Sequence, residues 1–190
     1  MELCHSVTEF FHDEVKDALK AQHVQAAEPT EFYLVNLLVE FASAPIDEEP
    51  LALKLASAAS APPDERLRTL KEVGDTSLYM SGFFAEALSR KLVDVDYYIS
   101  VGGSAYGQLA RMLGAGRRES HVFRDVYDEL AGKFPRFVDV LGEIRSRSTF
   151  APTGNLIQLY EEWVRTGNDL LEKRLRAAGV LLDAGGGEVH

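Results

Sequence analysis

The first residues that could do chemistry are polar side chains set inside strongly apolar helical runs. Asn36 lies in Tyr33-Leu34-Val35-Asn36-Leu37-Leu38, and Asp75 follows Gly74 in a long helical stretch. Ser104 sits with Tyr97, Tyr98 and Tyr106 in a glycine-rich segment, and Tyr79 lies upstream. A buried amide or carboxyl costs roughly 1–3 kcal/mol if it finds no partner. Such groups either fix helix register through hydrogen bonds or line a pocket. Asn36, Asp75, Tyr79, Tyr97, Tyr98, Ser104 and Tyr106 are therefore the candidate ligand-binding set. For the aromatics the alternative is plain core packing, with each hydroxyl reaching a partner at the core's edge.

Three further patterns suggest sites. Glu9-x-x-His12 has the spacing of di-iron carboxylate bundles, but no other histidine has a glutamate three residues before it. A helical metal-dependent oxidoreductase is the least supported reading, and no metal site is expected. Cys4-His5 is an adjacent thiol and imidazole with no third partner to orient them. Asp125-Val126-Tyr127-Asp128-Glu129 is one acidic cluster, which reads as a solvated face rather than a magnesium site.

The most unusual stretch is Gly102-Gly103-Ser104-Ala105-Tyr106-Gly107. A phosphate-binding glycine loop follows a strand and opens a helix, and a P-loop carries Lys-Ser or Lys-Thr after its last glycine. Here the flanks are helical and Gln108 follows Gly107, so no nucleotide cofactor is implied. On a helix Gly103, Gly107, Ala110 and Gly114 form one face made of almost no side chain. Gly74, Ser77, Ser81 and Ala85 form a matching face upstream. Glycine inside a helix costs about 1 kcal/mol relative to alanine, and close backbone approach is the usual return. A short link between the two segments predicts a close-packed antiparallel hairpin, 66–91 against 95–115, with Ser81 opposite Ser104.

The elements that position these groups are helical throughout. Ser6-Val7-Thr8-Glu9 reads as a capping box opening a helix to about Gln22, with Val7, Phe10 or Phe11, Val15, Ala18 and Leu19 on its apolar face. The next helix, from Pro29 to about Ala44, is apolar around most of its circumference, so it should be buried and Asn36 with it. A short helix spans 50–60. Pro62-Pro63-Asp64 opens the long helix of the hairpin, since proline suits a first turn. Asp94 or Asp96 can cap the helix of the glycine motif, and Gly114 or Gly116 can end it. A helix from about Ser120 to Arg147, bent near Pro135, and a last one from Thr153 to about Ala178 follow. The fold class is all-α: a single-domain globular helical bundle of about seven helices over 1–184, with 185–190 as a flexible tail.

Composition narrows the function classes. The chain has 190 residues, enough for one core without disulfides, and its single cysteine fits a reducing cytoplasm. Its formal net charge of −10 disfavours nucleic acid and anionic membranes as partners. The N-terminal stretch has no basic start and no long apolar run, so it does not read as a signal peptide. No run approaches the ~20 apolar residues of a spanning helix.

Gly74-Asp75, Gly82-Phe83-Phe84-Ala85, Asp94-Val95-Asp96-Tyr97-Tyr98-Ile99 and Gly102-Gly103-Ser104-Ala105-Tyr106, with Tyr33 to Leu38 upstream, resemble a family of uncharacterised bacterial all-helical proteins. The resemblance covers residues 5 to 115 best. It implies a bacterial cytoplasmic protein and carries no activity. With no catalytic constellation in view, the leading expectation is a non-catalytic interaction or regulatory protein forming a homodimer. Its face would use Leu156, Leu159, Tyr160 and Trp163 of the last helix. The alternative is binding of a small apolar or amphipathic ligand in a pocket beside the glycine-rich hairpin.

Overall fold

A computed structural model describes residues 2–43, 49–88, 94–115 and 121–147. Among them the chain is all-helical, with no strand. The elements are α1 (Glu2–Ala21), α2 (Glu28–Ser43), α3 (Leu51–Ser60), α4 (Pro63–Phe83), α5 (Ala85–Leu88), α6 (Val95–Gly114), α7 (His121–Gly132) and α8 (Phe134–Arg147). The expected helix over 153–178 and its apolar residues lie outside the described residues.

Local chemistry explains most boundaries. Pro63 occupies the first turn of α4, and Asp94 caps α6 by accepting a hydrogen bond from the Tyr97 N–H at 3.0 Å. The start of α1 departs from expectation: the helix is already formed at Glu2, so Ser6 lies inside it and not at its cap. Just past the end of α1, His23 is a left-handed residue with φ of 53°, and the Val24 N–H reaches back to the Leu19 carbonyl at 2.9 Å. The expected bend near Pro135 is a full break. α7 ends at Gly132, and Pro135, which has no N–H to donate, falls in the first turn of α8.

α4 is the central helix. It packs on α6 over most of its length and also meets α2, α3 and α8, while α7 packs on α6 and α2. Phe11, Val15, Ala18 and Leu19 of α1 are buried as their spacing requires, and Phe134, Phe137, Leu141 and Ile144 of α8 close the core.

The α4–α6 pair is antiparallel, but its register and its glycines differ from expectation. Ser77, not Ser81, meets the glycine segment. A methyl built on Gly102 would stand 2.6 Å from Ser77 Cβ and fall on the ring of Phe134. Gly103 and Gly107 have only ordinary contacts, with Phe134, Ala131 and Arg111. The glycine that opens α4 is Gly74, where a methyl would fall on the Tyr106 ring, 2.9 Å from Cζ and closer to Cε1. Gly82 makes room for Leu141 of α8 instead. The small faces thus admit the Tyr106 ring at Gly74, the Phe134 ring at Gly102 and Leu141 at Gly82, while α4 and α6 pack closely along the pair.

α2 corrects another expectation. Leu34, Val35, Leu37 and Leu38 are buried, but Glu28, Phe32, Asn36 and Glu40 recur every four residues along an exposed stripe. Phe32 is apolar and still 60% exposed, so hydropathy alone concealed the outer face. Asn36 faces outward and is no buried amide.

Candidate functional site

Asp75 is the centre of a buried polar junction. It lies in the middle of α4 with only 5% of its surface exposed. Gly74, one residue before it, leaves room for the Tyr106 ring from α6. That ring is fully buried and places its hydroxyl 2.7 Å from Asp75 Oδ1, to which it donates. Tyr33, from α2, donates to the same oxygen at 2.5 Å. Lys71, one turn earlier on α4, donates from Nζ to Oδ2 at 2.5 Å. Three donors from three helices therefore converge on one carboxylate.

Tyr127, from α7, completes the cluster. Its ring stacks on Tyr106 at 5.7 Å between centroids and meets Tyr33 edge-on at 5.4 Å. Lys71 also lies 5.7 Å from the centre of the Tyr33 ring, within cation–π range. Its second carboxylate neighbour, Glu40, is 3.9 Å away and well exposed.

The electrostatics follow from burial against pairing. Burial pushes the Asp75 carboxyl above its ordinary value, while the Lys71 ammonium and the two tyrosine hydroxyls pull it back. Burial would lower Lys71, but the charge and hydrogen bond of Asp75 outweigh this and raise it. Three donors aimed at the two oxygens suit the ionised carboxylate, so we assign the pair as charged. Burial also raises the hydroxyls of Tyr33 and Tyr106, and the nearby carboxylate raises both further. Tyr127 is raised by burial too. The tyrosines therefore act as neutral donors that hold a negative charge under the surface.

The junction opens on one side into a groove of about 360 Å³. Leu67, Arg68 and Lys71 of α4, Leu109 and Leu113 of α6, and Phe123 and Tyr127 of α7 line it. Lys71 and Tyr127 belong to both features, so the polar network forms part of the groove wall. The volume falls at the lower end of the roughly 300–1,000 Å³ usual for small-molecule sites.

The seven candidate residues fare differently. Asp75 and Tyr106 meet at the junction. Tyr79 is buried elsewhere, stacked between Phe41 at 4.4 Å and Phe83 at 4.8 Å, and burial pushes its hydroxyl up to about 12. Tyr97 and Tyr98 pack edge-on at 5.5 Å in the first turn of α6, away from the groove. Ser104 is exposed and accepts a hydrogen bond from Gln108 at 3.4 Å. Asn36 faces outward. The groove residues Arg68, Lys71 and Tyr127, and Tyr33 behind them, were missed. Lys71 and Asp75 did carry a signal, since opposite charges four apart share a helix face.

The other patterns resolve as follows. Glu9 and His12 are exposed, and His12 lies 3.6 Å from Asp13. Among the described residues no three His, Cys, Asp or Glu side chains converge on one point. The side chains of Cys4 and His5 lie outside the described residues. The acidic cluster on α7 is only partly a solvated face. Asp128 is exposed and Asp125 pairs with Arg124 at 2.8 Å. Glu129, however, accepts from the Thr30 hydroxyl at 2.6 Å, the Ala27 N–H at 3.1 Å and Lys133 at 2.8 Å. Burial would raise its carboxyl, but these bonds hold it below the ordinary value. Glu129 thus ties α7 to the start of α2 and so sets where Tyr127 stands relative to Tyr33.

The chain matches no known family, no curated protein and no solved structure. Among the described residues no helix is long and apolar enough to cross a membrane. Function is therefore read from the site itself.

Proposed function

We propose that this protein binds a small amphipathic molecule in the groove between α4, α6 and α7. One observation carries the reading. Four apolar side chains, Leu67, Leu109, Leu113 and Phe123, share a concavity with Arg68, Lys71 and Tyr127, and the Asp75 ion pair holds Lys71 in place while ring contacts with Tyr33 and Tyr106 hold Tyr127. Ligand sites combine mostly apolar walls with a few fixed polar groups in this way. Phe123 is 59% exposed, which suits a side chain that a bound ligand would cover. The lone cysteine and the family resemblance support a bacterial cytoplasmic setting.

The test uses Nile red, an uncharged apolar dye. Its fluorescence should rise with the wild-type chain and fall to background with Leu113→Trp, which fills the groove from a half-buried position. Equal dye binding by the variant, with an unchanged circular dichroism spectrum, would place the apolar site elsewhere. Native mass spectrometry of the purified protein would report any ligand carried from the cell.

Self-association is a second reading, and Val122 and Phe123 support it: both are more than half exposed and adjacent on α7. A light-scattering mass of one chain at micromolar concentration would end it.

A further inference from the structure

Resting on the groove reading above, we infer that the ligand is an amphipathic acid, whose carboxylate is held by Arg68 and Lys71 while its apolar part lies against Leu109, Leu113 and Phe123. The argument starts from charge. Of the ionisable side chains that line the groove, Arg68 and Lys71 are cations and Tyr127 is a neutral phenol, so no anion among the described residues lines it. Arg68 and Lys71 are three apart on α4, so they lie on one face of the helix. Lys71 is matched by Asp75 beneath it. Arg68 is exposed and has no hydrogen-bond or ion-pair partner among the described residues. A guanidinium at the rim of an apolar concavity, with its fork of donors free, fits a carboxylate in two parallel bonds.

Lys71 supplies the second contact. An ammonium has three donors. One goes to Asp75 Oδ2, and Glu40 at 3.9 Å is beyond hydrogen-bond range. Two donors remain, and the Lys71 side chain lines the groove and is 41% exposed. Tyr33 and Tyr106 matter here. Because they hold Oδ1, Asp75 need not be neutralised by Lys71 alone, and the ammonium can be shared with the ligand's carboxylate. A cationic ligand would meet Arg68 and Lys71 with like charge, and a neutral one would leave Arg68 unanswered.

The experiment is a ¹H–¹⁵N NMR titration of the full chain with octanoate, octanol and octylamine, which share one alkyl chain and differ in head-group charge. Octanoate is expected to shift amides at 67–71, 109–113 and 123–127, and to bind at least about tenfold more tightly than octanol, the worth of a charge-assisted hydrogen bond. Arg68→Gln, a change at an exposed site, should erase that preference without altering the rest of the spectrum, and Arg68→Lys should restore part of it. Octanol or octylamine binding these residues as tightly as octanoate would overturn the acid while leaving the groove as a ligand site. No shift at these residues with any of the three would overturn the groove reading itself.

Discussion

The two halves of α4 bury aromatic rings in opposite ways. The first half ends at Asp75, where Tyr33 and Tyr106 turn their hydroxyls onto a carboxylate and the groove lies alongside. The second half carries Tyr79, one turn beyond Asp75, which is clamped face to face between Phe41 and Phe83. One tyrosine type thus serves as an anchored donor at one end and as a slab of apolar surface at the other. The stack of Phe41, Tyr79 and Phe83 needs no charge to hold it, since stacking and burial suffice. The Asp75 junction needs every donor, because a buried charge missing partners is costly. Its place beside a groove is what an apolar seam alone would not require.

Substitutions can break or sharpen that contrast. Asp75→Ala should cost most, about 3 kcal/mol, the lower end for breaking a buried pair because Lys71 is part-exposed and can turn to water. A urea midpoint equal to wild type would mean the junction is not structural. Gly74→Ala comes next. Alanine gains about 1 kcal/mol of helix propensity, but its methyl collides with a fully buried ring, and overpacking of this kind costs about 1–3 kcal/mol. With loss of the Tyr106–Asp75 bond, a net loss of about 2 kcal/mol is expected, and a stabilised variant would refute the close fit.

The paired hydroxyl deletions make the sharpest comparison. Tyr106→Phe removes a hydrogen bond to a charged group and should cost about 1.5 kcal/mol. Tyr79→Phe keeps the stack and removes no bond to a charge, so a change within about 0.5 kcal/mol is expected by the same urea titration. Equal costs would erase the distinction between the two halves.

Alkaline pH probes the same tyrosines. The Tyr106 hydroxyl is raised well above 10.0 in the fold, so the folded chain keeps a proton that the unfolded chain gives up. The stability this provides is whole below pH 10 and declines as pH rises above it, by about 1.4 kcal/mol per unit for each such tyrosine. Tyrosinate absorbance should therefore lag behind simple titration and rise together with loss of helical circular dichroism. Smooth ionisation of every tyrosine in a folded chain would contradict the buried junction.

Several features were legible in the residues. Periodicity marked the helical stretches of the described part but not the breaks at Phe84, where a helix expected to run to about Lys91 is interrupted, and at Lys133. Proline and aspartate set the starts of α4 and α6. Asp75 and Tyr106 drew attention because polar atoms in apolar helical runs must find partners. Asn36 drew it for the same reason and faces outward, because Phe32 on the same stripe masked its polarity. Tyr33, three residues earlier, was the group that turned inward. Tyr127 was hidden in an acidic run whose Glu129 proved to be a tether between helices.

The sequence by itself determined an all-helical chain, the antiparallel pairing of α4 with α6, and the need for partners around Asp75. Only the tertiary structure decided which partners these are, which way α2 is rotated, and that Gly74 yields to a ring while Gly107 packs at ordinary distance. The physical reason is one of range. Helix period and capping act over a few residues and are written locally. The partners of Asp75 come from helices 31 and 42 residues away along the chain, and their meeting depends on how whole faces pack.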